Sequence, residues 1–175
     1  MKKENLIKIA YSGMFLAIGT LLPLLTGQIK EIGDSLLPMH LAIMLCGLIC
    51  GWKYGFAVGL ILPFFRSVTF GMPPLYPQAV WMAVELATYG LVIGLIYEFL
   101  KKKNLISIYI SLLASMICGR ITWGLTKWLL LGLSGKSFTL NAFFVGGFVD
   151  AIPGIILQLI LVPAIVTLVE RIKRK

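Results

Sequence analysis

Charge is scarce in this chain, and acid is scarcer still. Only 13% of its 175 residues are Asp, Glu, Lys or Arg, with seven acids against sixteen bases. A soluble domain of this size needs far more polar surface to stay dispersed, so the deficit excludes one. Histidine occurs once, at position 40. No G-x-S-x-G, H-E-x-x-H or G-x-x-x-x-G-K-[ST] pattern is present, which leaves no signature of a serine hydrolase, a zinc protease or a P-loop ATPase. The chain reads as a non-enzyme without a cofactor. Cysteine is also sparse: Cys46, Cys50 and Cys118 all sit in apolar runs, where thiols behave as small hydrophobes. Cys46 and Cys50 lie one helical turn apart, but with no His or acid beside them they do not make a metal site. No small-x-small cleavage pattern follows the Lys2-Lys3 start, so the first apolar run reads as a spanning helix and not as a signal peptide.

What the chain has in quantity is hydrocarbon. Hydrophobic residues make up 59% and the mean hydropathy is +0.95. A bilayer core about 30 Å thick takes about 20 helical residues, and the apolar runs recur too often for a single anchor. Apolar stretches between polar breaks predict spans near 5–25, 36–50, 54–71, 78–100, 105–131 and 138–169. The second and third are short, the third contains Pro63, and the last contains Pro153 and Pro163. Such helices are truncated or kinked, and interrupted spans are where a membrane protein makes room for polar groups. The expected architecture is one all-α integral membrane domain over residues 1–175, a bundle of six transmembrane helices.

The basic residues sort between two faces. Lys2, Lys3, Lys8, Lys53, Lys101, Lys102, Lys103, Arg171, Lys173, Arg174 and Lys175 fall on one side of a six-span topology, and only Lys30 and Lys136 fall on the other. The positive-inside rule makes the first side cytoplasmic, with both termini there, in the cell membrane. The net charge of +9 is then mostly orientation signal, and no nucleic-acid partner is implied. Inner connections such as "CGWKYG" are tight. The outer ones, "TGQIKEIGDSLLP", "SVTFGMPPLYPQ" and "LGLSGKSFT", are longer and rich in Gly, Pro and Ser, as a capping lid would be.

Ionisable groups inside spans are expensive in lipid and turn toward water or the bundle interior. Six qualify: His40, Arg66, Glu85, Arg120, Lys127 and Asp150, all in the outer half or near mid-depth. Glu85 lies roughly 10 Å below the outer start of its helix. Gln78, Trp81 and Glu85 share one helical face; Arg120, Trp123 and Lys127 share another. Asp150, Gly154 and Gln158 line up on the sixth, with Asn141 above them. These stripes mix aromatics and hydrogen-bonding groups, the usual lining of a small-molecule pocket, and they predict an outward-facing cavity capped by loops. Its charges run to three cations against two carboxylates, which favours an anionic ligand. Two other readings stand beside this one. Glu85 with Lys127 or Arg66, and Asp150 with Arg120, would serve as purely structural bridges. A small ion-coupled secondary transporter would use Glu85 or Asp150 as its proton site.

A short six-helix chain with basic cytoplasmic ends, a tight "GWKYG" turn and the stretch "LPMHLAIMLCGLICGWKYGFAVGLILP" resembles the substrate-binding S component of energy-coupling factor (ECF) transporters over nearly its whole length. The resemblance implies capture of a small water-soluble vitamin or related nutrient from outside. It also implies docking on an energy-coupling module of one membrane scaffold subunit and two ATPases. That family docks through small residues on its first helix, commonly Ala-x-x-x-Ala. Here Ala10, Gly13 and Ala17 share a face, and Gly13-x-x-x-Ala17 is the nearest match, because Met14 breaks the strict pattern. Small residues at Gly47, Gly51, Gly55, Gly59, Ser111, Ser115 and Gly119 read as internal packing strips.

Overall fold

The computed structural model describes residues 3–26, 36–100, 103–135 and 137–173. Lys2, Lys30, Lys101, Lys102, Lys136, Arg174 and Lys175, used above for orientation, lie outside the described residues, as does most of the connection after the first helix.

Seven helices account for most of the described chain: α1 Lys3–Thr26, α2 Pro38–Cys50, α3 Trp52–Phe70, α4 Val80–Phe99, α5 Leu105–Leu133, α6 Leu140–Phe144 and α7 Ile152–Lys173. Four stretches are long and apolar enough to cross a membrane: Lys3–Leu24, Leu75–Phe99, Leu105–Leu133 and Ile152–Ile172. The α2 helix is 13 residues long, about 20 Å, and too short to cross alone. Eleven of its residues are buried, so it is sheathed by its neighbours on nearly every side. The α3 helix has 19 residues but carries Lys53, Arg66 and an internal Pro63.

The α4 helix packs against α2, α3 and α5, while α2 also meets α1, α3 and α7. These contacts are close because glycine faces backbone. A Cβ placed on Gly90 of α4 would come within 2.2 Å of the Gly55 carbonyl oxygen of α3. Any side chain there would force the two helices apart. Gly47 and Gly59 lie against α4 in the same way, as the sequence pattern predicts. Gly51 differs: nothing lies within 4 Å of a Cβ there, and its φ of +101° makes the one-residue turn between α2 and α3. On α5, Leu113, Ile117, Ile121 and Leu125 recur every fourth residue on an exposed face, a stripe suited to lipid.

Helix ends follow local chemistry. Asn104 caps α5 by accepting from the Ser107 backbone N–H at 2.9 Å, and Thr139 caps α6 by accepting from Ala142 at 3.2 Å. The expected single span over 138–169 is broken. After α6 the chain widens into a π turn, where Asp150 N–H reaches back five residues to the Val145 carbonyl, and α7 begins only at Ile152. Gly146 and Gly147 supply little helix propensity, and Pro153, which has no N–H to donate to a preceding turn, fits only the first turn of α7. A second π turn, Leu75–Ala79, leads into α4.

Candidate functional site

The helices bring three ionisable side chains from distant parts of the sequence to one atom. Oε1 of Glu85 on α4 accepts from Nη1 of Arg120 on α5 at 3.0 Å and lies 3.1 Å from Nε2 of His40 on α2. All three are sealed from solvent, Glu85 at 2% exposure, His40 at 3% and Arg120 at 4%. A carboxylate oxygen accepts, so the His40 tautomer that suits this contact carries its proton on Nε2. Three atoms are left over. His40 Nδ1 and Arg120 Nε and Nη2 are buried with no hydrogen-bond partner among the described residues.

Each member is held from behind. His40 sits in the first turn of α2, which starts at Pro38 after Leu37 adopts a left-handed backbone (φ 49°, ψ 49°). That conformation costs about 1 kcal/mol in a residue with a Cβ. It turns the Leu37 carbonyl toward the His40 backbone N–H (3.1 Å) and the Gln158 side-chain amide of α7 (3.5 Å). Tyr89, one turn below Glu85, meets the His40 ring edge-to-face at 5.0 Å and donates its hydroxyl to the Met116 carbonyl. The ring fits only because residue 119 is glycine, where a Cβ would come 2.2 Å from the ring carbon Cε2.

Two turns along α5 from Arg120, the Lys127 ammonium lies over three rings: Trp123 at 4.5 Å, Phe138 at 5.2 Å and Trp81 at 5.4 Å from the centroids. It is also within electrostatic range of Glu85. Trp123 packs further on Phe138 and Phe143, and Gly146 and Gly147 lie beside it, where a Cβ on either would touch its six-membered ring at 3.4 Å. The Lys127, Glu85 and Arg120 charges together sum to +1 when His40 is neutral.

Not every expected residue converges. Glu85, His40, Arg120, Lys127, Trp81 and Trp123 do. Arg66 turns instead to the Met72 carbonyl at 3.2 Å, and Gln78 is half-buried in the turn before α4. Asn141 and Asp150 are exposed, and the break between α6 and α7 removes the continuous face that Asp150, Gly154 and Gln158 were expected to share. Neither bridge inferred from spacing forms: Arg120 pairs with Glu85 and not with Asp150, and Glu85 takes Arg120 and His40 and not Lys127 or Arg66. The sequence reading missed Phe138 and Phe143, which complete the aromatic wall. Phe138 precedes its helix, so no helical phase pointed to it.

The end where α1 starts is built differently. Here Tyr97 of α4 gives its hydroxyl to Glu170 of α7, and Lys103 donates to the Tyr97 carbonyl while its ammonium lies 4.1 Å above the Tyr97 ring. Partial burial holds the Lys103 ammonium below the ordinary lysine pKa, with Glu98 and Glu170 opposing the shift. A cavity of about 450 Å³ opens beside this group, lined by Lys8, Trp52, Lys53, Tyr54, Glu98 and Lys103 among others. On α1 itself, Ser12, Phe15 and Thr20 turn inward, whereas Ala10, Gly13 and Ala17 are exposed and a Cβ on Gly13 would meet nothing within 4 Å.

No curated protein and no solved structure gives a significant match to the chain. The family model described as "ECF transporter, substrate-specific component" matches residues 7–166, nearly the full length and every element that builds the site. The chain therefore belongs to the family of substrate-specific components of ECF transporters, a multi-pass helical membrane subunit whose family works with an energy-coupling module on a small-molecule substrate.

Proposed function

We propose that this chain captures a small, water-soluble, anionic nutrient of the vitamin class from outside the cell, at the site formed by His40, Trp81, Glu85, Arg120, Trp123 and Lys127. The observation that carries the reading is the shared Glu85 oxygen. A plain structural bundle does not need a buried carboxylate held by two helices, with a surplus cation two turns away and guanidinium nitrogens left unpaired. In this reading six spans place both termini in the cytoplasm and the site toward the outside, the end away from Lys8, Lys53, Lys103 and Arg171. Arg66 and Gln78 stand at the rim. Asn141 and Asp150 drop from the contact set because both are exposed. The open face of α1 at Ala10, Gly13 and Ala17 docks on a scaffold subunit driven by two ATPases.

The purified chain is expected to bind its ligand with submicromolar affinity and to support uptake only when the coupling module is coexpressed. Uptake by the chain alone in liposomes, driven by a proton or sodium gradient, overturns the reading in favour of a secondary carrier. Gly13→Leu places bulk in open space, so it should leave folding and ligand affinity unchanged and reduce co-purification with the module at least severalfold. Unaltered co-purification removes this face from the docking proposal.

A further inference from the structure

The guanidinium of Arg120 is only half used. Nη1 donates to Glu85 at 3.0 Å, while Nε and Nη2 are buried without a partner among the described residues. Those two nitrogens are not scattered: in a planar guanidinium, Nε–H and one N–H of Nη2 lie parallel along one edge, the edge that grips two coplanar oxygens in a fork. An arginine present only to neutralise Glu85 has that edge available for Glu85 itself. Here it meets the carboxylate through Nη1 alone, and His40 approaches the same oxygen. Glu85, itself held by His40, thus orients Arg120 through Nη1 and leaves its two-pronged edge without a partner among the described residues.

Resting on the nutrient-capture reading above, we infer that the free Nε/Nη2 edge of Arg120 is the docking point for a carboxylate of the transported molecule, which makes the substrate class a monocarboxylate. Charge agrees with geometry. Glu85 and Arg120 cancel, Lys127 leaves the site at +1, and one ligand carboxylate brings it to zero. A phosphate monoester, at about −1.5 to −2, would leave the site net negative. The aromatic wall does not supply the anion contact, because Lys127 already lies over the Trp81, Trp123 and Phe138 rings. Lys127 acts at longer range, and Arg120 alone presents a paired donor edge.

The test offers the ligand-free full chain in detergent a defined mixture of vitamins and precursors. Carboxylates (nicotinate, pantothenate, 4-aminobenzoate, biotin) are matched with compounds lacking one (nicotinamide, pantothenol, thiamine, riboflavin, pyridoxine). Captured species are identified by native mass spectrometry. The expected result is capture of a carboxylate, binding at least tenfold tighter than its own primary amide, and loss of at least tenfold in affinity in Arg120→Lys, which keeps the charge but not the fork. The acid-to-amide ratio is measured on the wild-type chain, so it stands even where Arg120→Lys fails to fold. Capture of a compound without a carboxylate, or equal affinity for acid and amide, overturns the carboxylate inference and leaves nutrient capture intact. Capture of nothing overturns both.

Discussion

The two ends of the bundle each gather a carboxylate, a tyrosine and a cation, yet they are built on different terms. At the Glu85 end the carboxylate takes partners from α2 and α5, all sealed from solvent. At the Glu170 end the carboxylate is half-buried, the cation Lys103 is exposed, and Tyr97 bridges α4 to α7. The same residue types therefore have different consequences. Removing one partner from a desolvated set leaves an uncompensated charge, whereas water takes over a lost partner at a solvated rim. The difference teaches that burial, and not the inventory of charges, separates the candidate site from an ordinary helix tie.

Substitutions can break or sharpen that contrast. The largest effect is expected for Glu85→Gln, which strands the Arg120 charge and should destabilise the fold by about 3–5 kcal/mol in denaturant titration. Adding Arg120→Met to it should recover much of the loss, since replacing both partners removes the stranded charge, while ligand binding stays abolished. Gly119→Ala comes next. Its methyl meets the Tyr89 ring, so a loss of about 1–3 kcal/mol and a weakened ligand affinity are expected, because Tyr89 supports His40. Lys127→Met, which removes the cation from its three rings, should lower stability by about 0.5–2 kcal/mol and weaken an anionic ligand measurably in calorimetry. Glu170→Gln should be smallest, within about 1 kcal/mol and with ligand affinity unchanged. If Glu170→Gln proves as damaging as Glu85→Gln, the contrast between the two ends fails.

Much of this was legible without coordinates. Hydrocarbon content and apolar run lengths made the chain a membrane bundle, and the positions of α1, α4 and α5 followed from runs bounded by polar breaks. Glu85, Trp81, Arg120, Trp123 and Lys127 were visible as helical stripes because side-chain period is a local property of the backbone. The break at residues 145–151 was harder to see. It depends on a π turn that adds a residue to the helical repeat, and this shifts the phase of everything after it, Asp150 included.

The one-dimensional order of residues was enough to say that charged groups had to turn inward, since lipid offers them no partner. It left open which charge meets which, because a stripe specifies an angle about its own helix axis and not the angle between helices. That second angle comes from packing. Gly55 against Gly90 and Gly119 against Tyr89 set how α3, α4 and α5 approach one another, and their approach delivers Arg120 to Glu85 while Asp150 stays outside.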